Sequence, residues 1–429
     1  MRGLDVECCT IEGAALSGLV AAPNQLIALN FETLARLTPG ERHRLRKWAE
    51  DGATIYVRGA LRHGSTYSLM PFSNQRFGFS VELAEGYQFS THRMLPAAIA
   101  GELVTTQMDM PHAAGLDDRF PTLLSSRDRQ GNEWPVIFEI KIGAGAAIFD
   151  LHDDDDTHGT ALLTEIEEPA TRGAAMGALA AVDWAAGRSF KTPAAVNLVI
   201  DDRPINFDYF SLGNLKDFLD YLKTQYVDIH IDFAWTPLHT HPDRRYIEML
   251  RRYNTGFVWH GFLRHIDHRM IADCESELQA GLAHVNKISR AYEVRFQPVM
   301  IFPFEKDTPH AHELLRRAAF VAKVQCDHSG GQSPSPYRLR ALQHERSSDS
   351  LSIMLRDSTD NLNRDRMLAL ATLGMPIIAL AHPCDLALRR FARRDAAAAT
   401  YFDPVLKFAA EKSLRPMSLE EIAAEAPLD

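Results

Sequence analysis

The sequence predicts a mixed α/β protein of two domains, 1–190 and 191–429, and three observations carry that prediction. Short apolar runs alternate with helix-period segments along much of the chain, which is the rhythm of β-α units. An Ala/Gly-rich helical stretch, Arg172–Gly187, and the polar segment Arg188–Pro193 interrupt that rhythm. The length, 429 residues, suits two or three domains at about 100–200 residues each. Hydrophobic residues make up 46% and charged residues 24%, an ordinary globular composition.

In the first domain the apolar run Gln25–Asn30 predicts a strand. Thr38 followed by Pro39 is an N-cap with proline at the first helical position, so a helix is expected through Glu41 to Glu50. Asp51 and Gly52 close it, and Ala53–Val57 is expected as a second strand, parallel to the first through a right-handed crossover. Pro135–Lys141 and Ala146–Leu151 read as strands about a hairpin turn at Gly143, Ala144 and Gly145. The expectation for this half is an open parallel sheet.

In the second domain strands are expected at Ala195–Asp201, Val227–Trp235, Gly256–His260, Val299–Phe304, Val321–Asp327, Leu351–Arg356 and Met375–Ala381. Helices are expected at Leu212–Thr224, Arg244–Tyr253, Cys274–Ser289 and His310–Phe320, with a long surface loop at Ser329–Ser350. Repeated β-α units with apolar strands imply a parallel sheet with helices outside, open or closed as a barrel.

Lys and Arg number 46 against 56 Asp and Glu, a net charge of −10, which argues against a general nucleic-acid binder. No window approaches about 18 uninterrupted apolar residues, so no membrane span is expected. The polar start, Met1–Glu7, leads into no apolar stretch of signal-peptide length. The five cysteines, Cys8, Cys9, Cys274, Cys326 and Cys384, are scattered without a C-x-x-C, which fits reduced thiols in a cytoplasm.

Acids and histidines of the second domain fall at the C-terminal ends of expected strands, the edge where parallel α/β folds place active sites. Asp201 and Asp202 end one apolar strand ahead of Arg203 and Pro204; one carboxylate is suited to ligate a metal while its twin serves as a base. The alternative is an Asp pair opening a turn. His260 ends another strand, with His265 and His268 shortly after, a pattern suited to imidazole coordination of a divalent ion. His382 ends the last apolar strand, where it is placed for a general acid or packs as a core histidine. Pro303 and Phe304 form a Pro-aromatic turn that walls a pocket, to which Trp235, His239 and Trp259 are assigned as further lining.

Taken in order, these segments resemble the polysaccharide deacetylase family, which includes chitin, peptidoglycan and nodulation-factor deacetylases. Val199-Ile200-Asp201-Asp202-Arg203-Pro204 is similar to the family's T-F-D-D-G-P, and His260 with His265 to its His-Ser/Thr-x-x-His pair. Phe302-Pro303-Phe304 is similar to its Pro-containing motif, and Ile378–His382 to its Leu-x-x-His. The resemblance covers residues 193–385 and implies a distorted (β/α)7 barrel. It also implies one divalent ion, zinc by preference, on Asp202, His260 and His265, with His268 as a substitute. Asp201 would be the base, a backbone N–H near Pro303 would hold the oxyanion, and His382 would protonate the departing amine. Arg203 replaces the family's glycine, the histidine spacing is one residue longer, and the arginine before the third-motif proline is missing. Arg203 or Arg356 is the candidate to supply that charge.

The rhythm of the first half resembles the flavodoxin-like, class I glutamine-amidotransferase-like fold. No G-x-C-x-G turn exists, and Cys8 and Cys9 precede the first strand, so a non-catalytic module is expected there. His239-Thr240-His241 resembles the amidohydrolase H-x-H, although Pro237 and Pro242 favour a loop. His152–His158, with four consecutive acids, is either an oxygen-rich cation site or a solvated turn, and Arg389–Asp395 reads as a solvated helix face. The expected function is removal of an N-acyl, N-acetyl in the first instance, group from an amino sugar or glycoconjugate precursor. The alternatives are a catalytically silent binding or scaffold protein of the same fold and an amidohydrolase using His239 and His241. The expected partners are a small-molecule or saccharide substrate and a second copy through the first domain, with neither nucleic acid nor membrane.

Overall fold

The helix expected behind Thr38 runs Pro39–Glu50 in the computed structural model, and its start is a full capping box: the Thr38 hydroxyl accepts from the Glu41 N–H while the Glu41 carboxylate accepts from the Thr38 N–H. The structure describes residues 25–59, 61–116, 119–152, 172–185, 194–201, 212–226, 228–239, 244–305, 308–326, 351–359, 362–372, 374–382 and 399–425. They belong to two units, 1–191 and 192–429. Among the described residues no helix is long and apolar enough to cross a membrane.

The first unit holds one eight-stranded sheet, ordered β1-β2-β8-β7-β6-β4-β3 with β5 also on β4. Its strands are β1 (Leu26–Leu29), β2 (Thr54–Arg58), β3 (Thr66–Ser68), β4 (Arg76–Phe89), β5 (Leu103–Ala114), β6 (Thr122–Arg127), β7 (Glu133–Ile142) and β8 (Gly145–Asp150). Among the described residues β1, β2 and β8 run parallel and the other pairings are antiparallel. The expected open parallel sheet is thus corrected to a mixed one. The physical reason is connection length: β7 turns directly into β8 at Gly143 and Ala144, with no room for a crossover helix. Gly143 has φ +55 there, and a Cβ would lie 2.6 Å from the Glu50 carbonyl oxygen. One face of the sheet carries an aromatic core of Phe31, Phe72, Phe77, Phe138 and Phe149. On the other, helix Arg172–Ala185 approaches so closely that Gly173 and Gly177 face Tyr87, Leu124 and Ile137.

The second unit is built on seven parallel strands: β9 (Ala195–Ile200), β10 (Ile231–Trp235), β11 (Thr255–His260), β12 (Phe296–Ile301), β13 (Ala322–Cys326), β14 (Ser352–Ser358) and β15 (Ile377–Ala381). Each pairs with the next, and β15 and β10 both pair with β9, so the pairings run round a ring. Among the described residues the sheet expectation resolves to a nearly closed parallel barrel. Alternate residues point inward: Val199, Ala234, Val258, Val299, Ile301, Val324, Met354 and Ile378 fill the interior. The residues between them face the helices, where Trp259, Met300 and Phe302 pack against Leu278, Leu314 and Leu315.

A polar layer lies beneath this apolar plug, at the N-terminal end of the barrel. The fully buried Asp232 accepts from the Asn197 and Gln297 side chains, the Leu419 N–H and His230 Nε2. The short strand β16 (Arg415–Pro416) on β9 leads into helix Leu419–Glu425, so Asp232 caps that helix from inside the barrel. Burial works to lower the His230 pKa, but the Asp232 carboxylate, with Asn254, outweighs it and holds the pKa above its ordinary value.

Candidate active site at the C-terminal edge of the barrel

Two residues beyond the inward Val199, Asp201 leaves the end of β9 still pointing into the barrel. Its backbone N–H donates to the Ala381 carbonyl at 2.9 Å, which brings His382, directly after β15, beside it. The Asp201 side chain is 1% exposed. Oδ2 accepts from Nη1 of the equally buried Arg356, which projects inward from β14, in step with Met354. Oδ1 is buried with no hydrogen-bonding partner among the described residues. An ionised carboxylate this deep is tolerable only with a paired cation, and Arg356 supplies it. The neighbouring Asp357 faces outward and accepts from Arg366 Nε at 2.8 Å, pinning β14 to helix Arg364–Thr372.

Across the mouth, His260 ends β11 in step with the inward Val258. Its Nδ1 lies 3.2 Å from the Ile301 carbonyl oxygen. A carbonyl only accepts, so Nδ1 is the donor in this contact, and an Nδ1–H held by a carbonyl is the arrangement that orients a histidine for ligation through Nε2. Gly261 then turns the chain with φ +82, where a Cβ would strike the Arg264 carbonyl oxygen at 2.6 Å. That tight turn carries His265 back over His260, ring centroids 4.8 Å apart. Arg264, which the same turn sends outward, is fixed by Glu277 at 2.6 Å.

The other expected residues fall in several places. His268 is buried in the outer layer between Phe262 and Phe302, at centroid distances of 4.1 and 4.6 Å, so the ring meeting His260 is that of His265. Trp235 and Trp259 occupy strand positions one residue out of step with the interior. Trp235 packs on Phe257 and Phe296, and Trp259 on Phe296 and Phe320; both are buried in aromatic layers, and their pocket assignment is replaced by a packing one. Pro303 is buried and Phe304 stands 61% exposed, its ring 5.0 Å from that of His265. Phe304 has φ 56 and ψ 15, a left-handed conformation that costs a bulky residue roughly 1–2 kcal/mol. His239 ends a 3-10 turn, Pro237–His239, rather than a strand. Asp202, Arg203 and His241 lie outside the described residues, as do 153–158 and Arg389–Asp395.

The donor types, two imidazoles and carboxylates, suit zinc or a similar divalent ion. His260 and His265 meet, and the orphaned Asp201 Oδ1 marks a polar demand nearby. Among the described residues no group of three or more His, Cys, Asp or Glu is arranged to hold a metal ion.

The first unit has a buried polar cluster of its own, of which only His152 was legible as a motif. Asp150, at the end of β8, accepts from the Tyr56 hydroxyl at 2.5 Å and meets His152 Nδ1 at 2.5 Å, while His152 Nε2 lies 2.9 Å from the Tyr87 hydroxyl. Burial opposes the Asp150 charge, but His152, Arg58 and the Tyr56 hydroxyl overcome it and draw the pKa down to about 2. Burial and the Asp150 charge push the Tyr56 pKa well up.

No family profile and no curated protein sequence matches the chain. Among solved structures, a chitin deacetylase from Colletotrichum lindemuthianum is similar at 14% identity, over 55% of this chain and 90% of that one, with a TM-score of 0.32. A protein described as a polysaccharide deacetylase from Mycobacterium smegmatis overlaps at 15% identity, 56% and 92% coverage and a TM-score of 0.38. A 4-alpha-glucanotransferase from Thermococcus litoralis overlaps at 11% identity, 54% and 40% coverage and a TM-score of 0.36. Scores this low decide neither fold nor activity; the barrel rests on its own strand pairings.

Proposed function

We propose that residues 192–429 form a metal-dependent hydrolase that removes an N-acyl group, acetyl in the simplest case, from an amino sugar or glycoconjugate precursor. The observation that carries this reading is Asp201: a buried carboxylate at the catalytic edge of a parallel barrel, with one oxygen held by Arg356 and the other left to act. Asp202, His260 and His265 would hold the ion. A bound divalent ion supplies polarisation of the acyl carbonyl and a water of lowered pKa.

The chain's own residues do the rest. Arg356 fixes the Asp201 plane through Oδ2, so Oδ1 is the oxygen placed to take the proton of the attacking water as the C–O bond forms. The turn at Pro303 offers backbone N–H groups to the oxyanion. His382, beside Asp201, gives a proton to the amine nitrogen as the C–N bond breaks, releasing a carboxylic acid and a free amine.

One observation favours a second reading, a catalytically silent barrel of the same fold: no three-ligand group stands among the described residues. Elemental analysis of the full chain, with His260→Ala and His265→Ala, separates the two. Near-stoichiometric zinc or another divalent ion that both variants lose, together with amine release from N-acetylglucosamine oligomers, supports the hydrolase. A wild type that stays metal-free after incubation with divalent ions overturns it.

A further inference from the structure

Resting on that hydrolase reading, we infer that the barrel mouth carries an apolar acyl-chain subsite, and that the preferred N-acyl group is longer than acetyl. Three side chains make it. Leu238 follows β10, Leu263 lies in the turn after β11, and Phe304 follows β12; because the strand order is β10-β11-β12, Leu238 and Phe304 flank the turn that carries His265. The Leu238 N–H donates to the Leu263 carbonyl at 2.8 Å, tying two of these loops together, and the Phe304 ring rests against His265 itself.

Leu238 is 39% exposed and Phe304 61%. Large apolar side chains left exposed on neighbouring loops beside a candidate site are suited to take up an apolar ligand group. Phe304 is also held in a left-handed conformation, and strain of that kind collects at ligand clamps. Position selects the occupant. The acyl substituent is one bond from the carbonyl carbon that reacts, so it must lie against the groups that act on that carbon, as Phe304 does. A sugar ring would bring hydroxyls needing hydrogen-bond partners, and the side chains of Leu238, Leu263 and Phe304 offer none. An acetyl methyl is too small to cover them, whereas each further methylene buried there favours binding about fourfold.

The test compares kcat/KM of the full-length metal-loaded protein on N-acetyl-, N-butyryl- and N-hexanoyl-glucosamine, with Phe304→Ala and Leu238→Ser alongside. The expected result is a hexanoyl-to-acetyl ratio well above one in the wild type that falls at least severalfold in each variant. The ratio is read within one protein, so a variant of lowered stability or activity still reports. Hydrolysis with acetyl preferred, or a ratio that neither variant moves, overturns the subsite while leaving the hydrolase reading intact. Failure to hydrolyse any chain length overturns both.

Discussion

Arg356 decides what Asp201 can be. Both side chains are almost fully buried, so removing the cation leaves an uncompensated carboxylate in a low-dielectric interior, at a typical cost of about 3–5 kcal/mol. Arg356→Ala is therefore expected to lower the urea midpoint of the protein and, on the proposed function, to abolish amide hydrolysis, while Arg356→Lys recovers part of the stability and little of the rate. A lysine restores charge but not the planar fork that orients a carboxylate. At this scale the sequence was partly readable. Asp201 and His260 stood out because acids and histidines are conspicuous at the ends of apolar runs. Arg356 was one of two candidates for a missing charge, and only the ring of strands, which sets β14 two places from β9, shows that its guanidinium reaches Asp201. His268 and the two tryptophans misled because spacing along a chain does not reveal which side of a strand or turn a ring takes. One residue out of step exchanges the interior for the helical layer.

The strands of the barrel were legible because each is a short apolar run bounded by turn residues, and Thr38-Pro39 announced its helix by chemistry that needs no tertiary context. Strands β4 and β5 were not. Arg76–Phe89 mixes small, charged and aromatic residues and shifts register between Ala84 and Gly86, so no clean alternation survives. The helix Leu419–Glu425 was overlooked although a local signal stood there: the Ser418 hydroxyl accepts from the Glu421 N–H and the Glu421 carboxylate from the Ser418 N–H, and Asp232, far away in sequence, adds a further acceptor for the Leu419 N–H. That interaction makes its own prediction. His230 pairs with Asp232 and has a folded pKa above its unfolded value. The stabilisation it contributes is complete below about pH 6.5 and is lost as pH rises through the raised folded value. Thermal denaturation from pH 5.5 to 9 is expected to show the wild type losing stability over that window more steeply than His230→Gln. Equal slopes would show that His230 contributes nothing through its charge.

At the scale of the whole molecule, the two units solve the same problem differently. Among the described residues the first ends its sheet at β1, β3 and β5, each paired on one side, whereas the second bends β9–β15 into a ring in which each strand has two neighbours. Completing that ring has a consequence in time. Val196 must find Ile377, and Ala195 must find Arg415, so the first strand of the barrel waits for partners almost at the far end of the chain. On a ribosome β9 emerges early and can pair with β10 soon after, but its other edge stays open until nearly the whole unit has been made, with loop closure on that span deferred to the last step. A nascent chain halted before residue 415 is expected to be collapsed and chaperone-bound, with β9 open to protease. Release of the remaining segment would convert it to the protected form in one cooperative event, which pulse proteolysis of stalled chains of graded length would time.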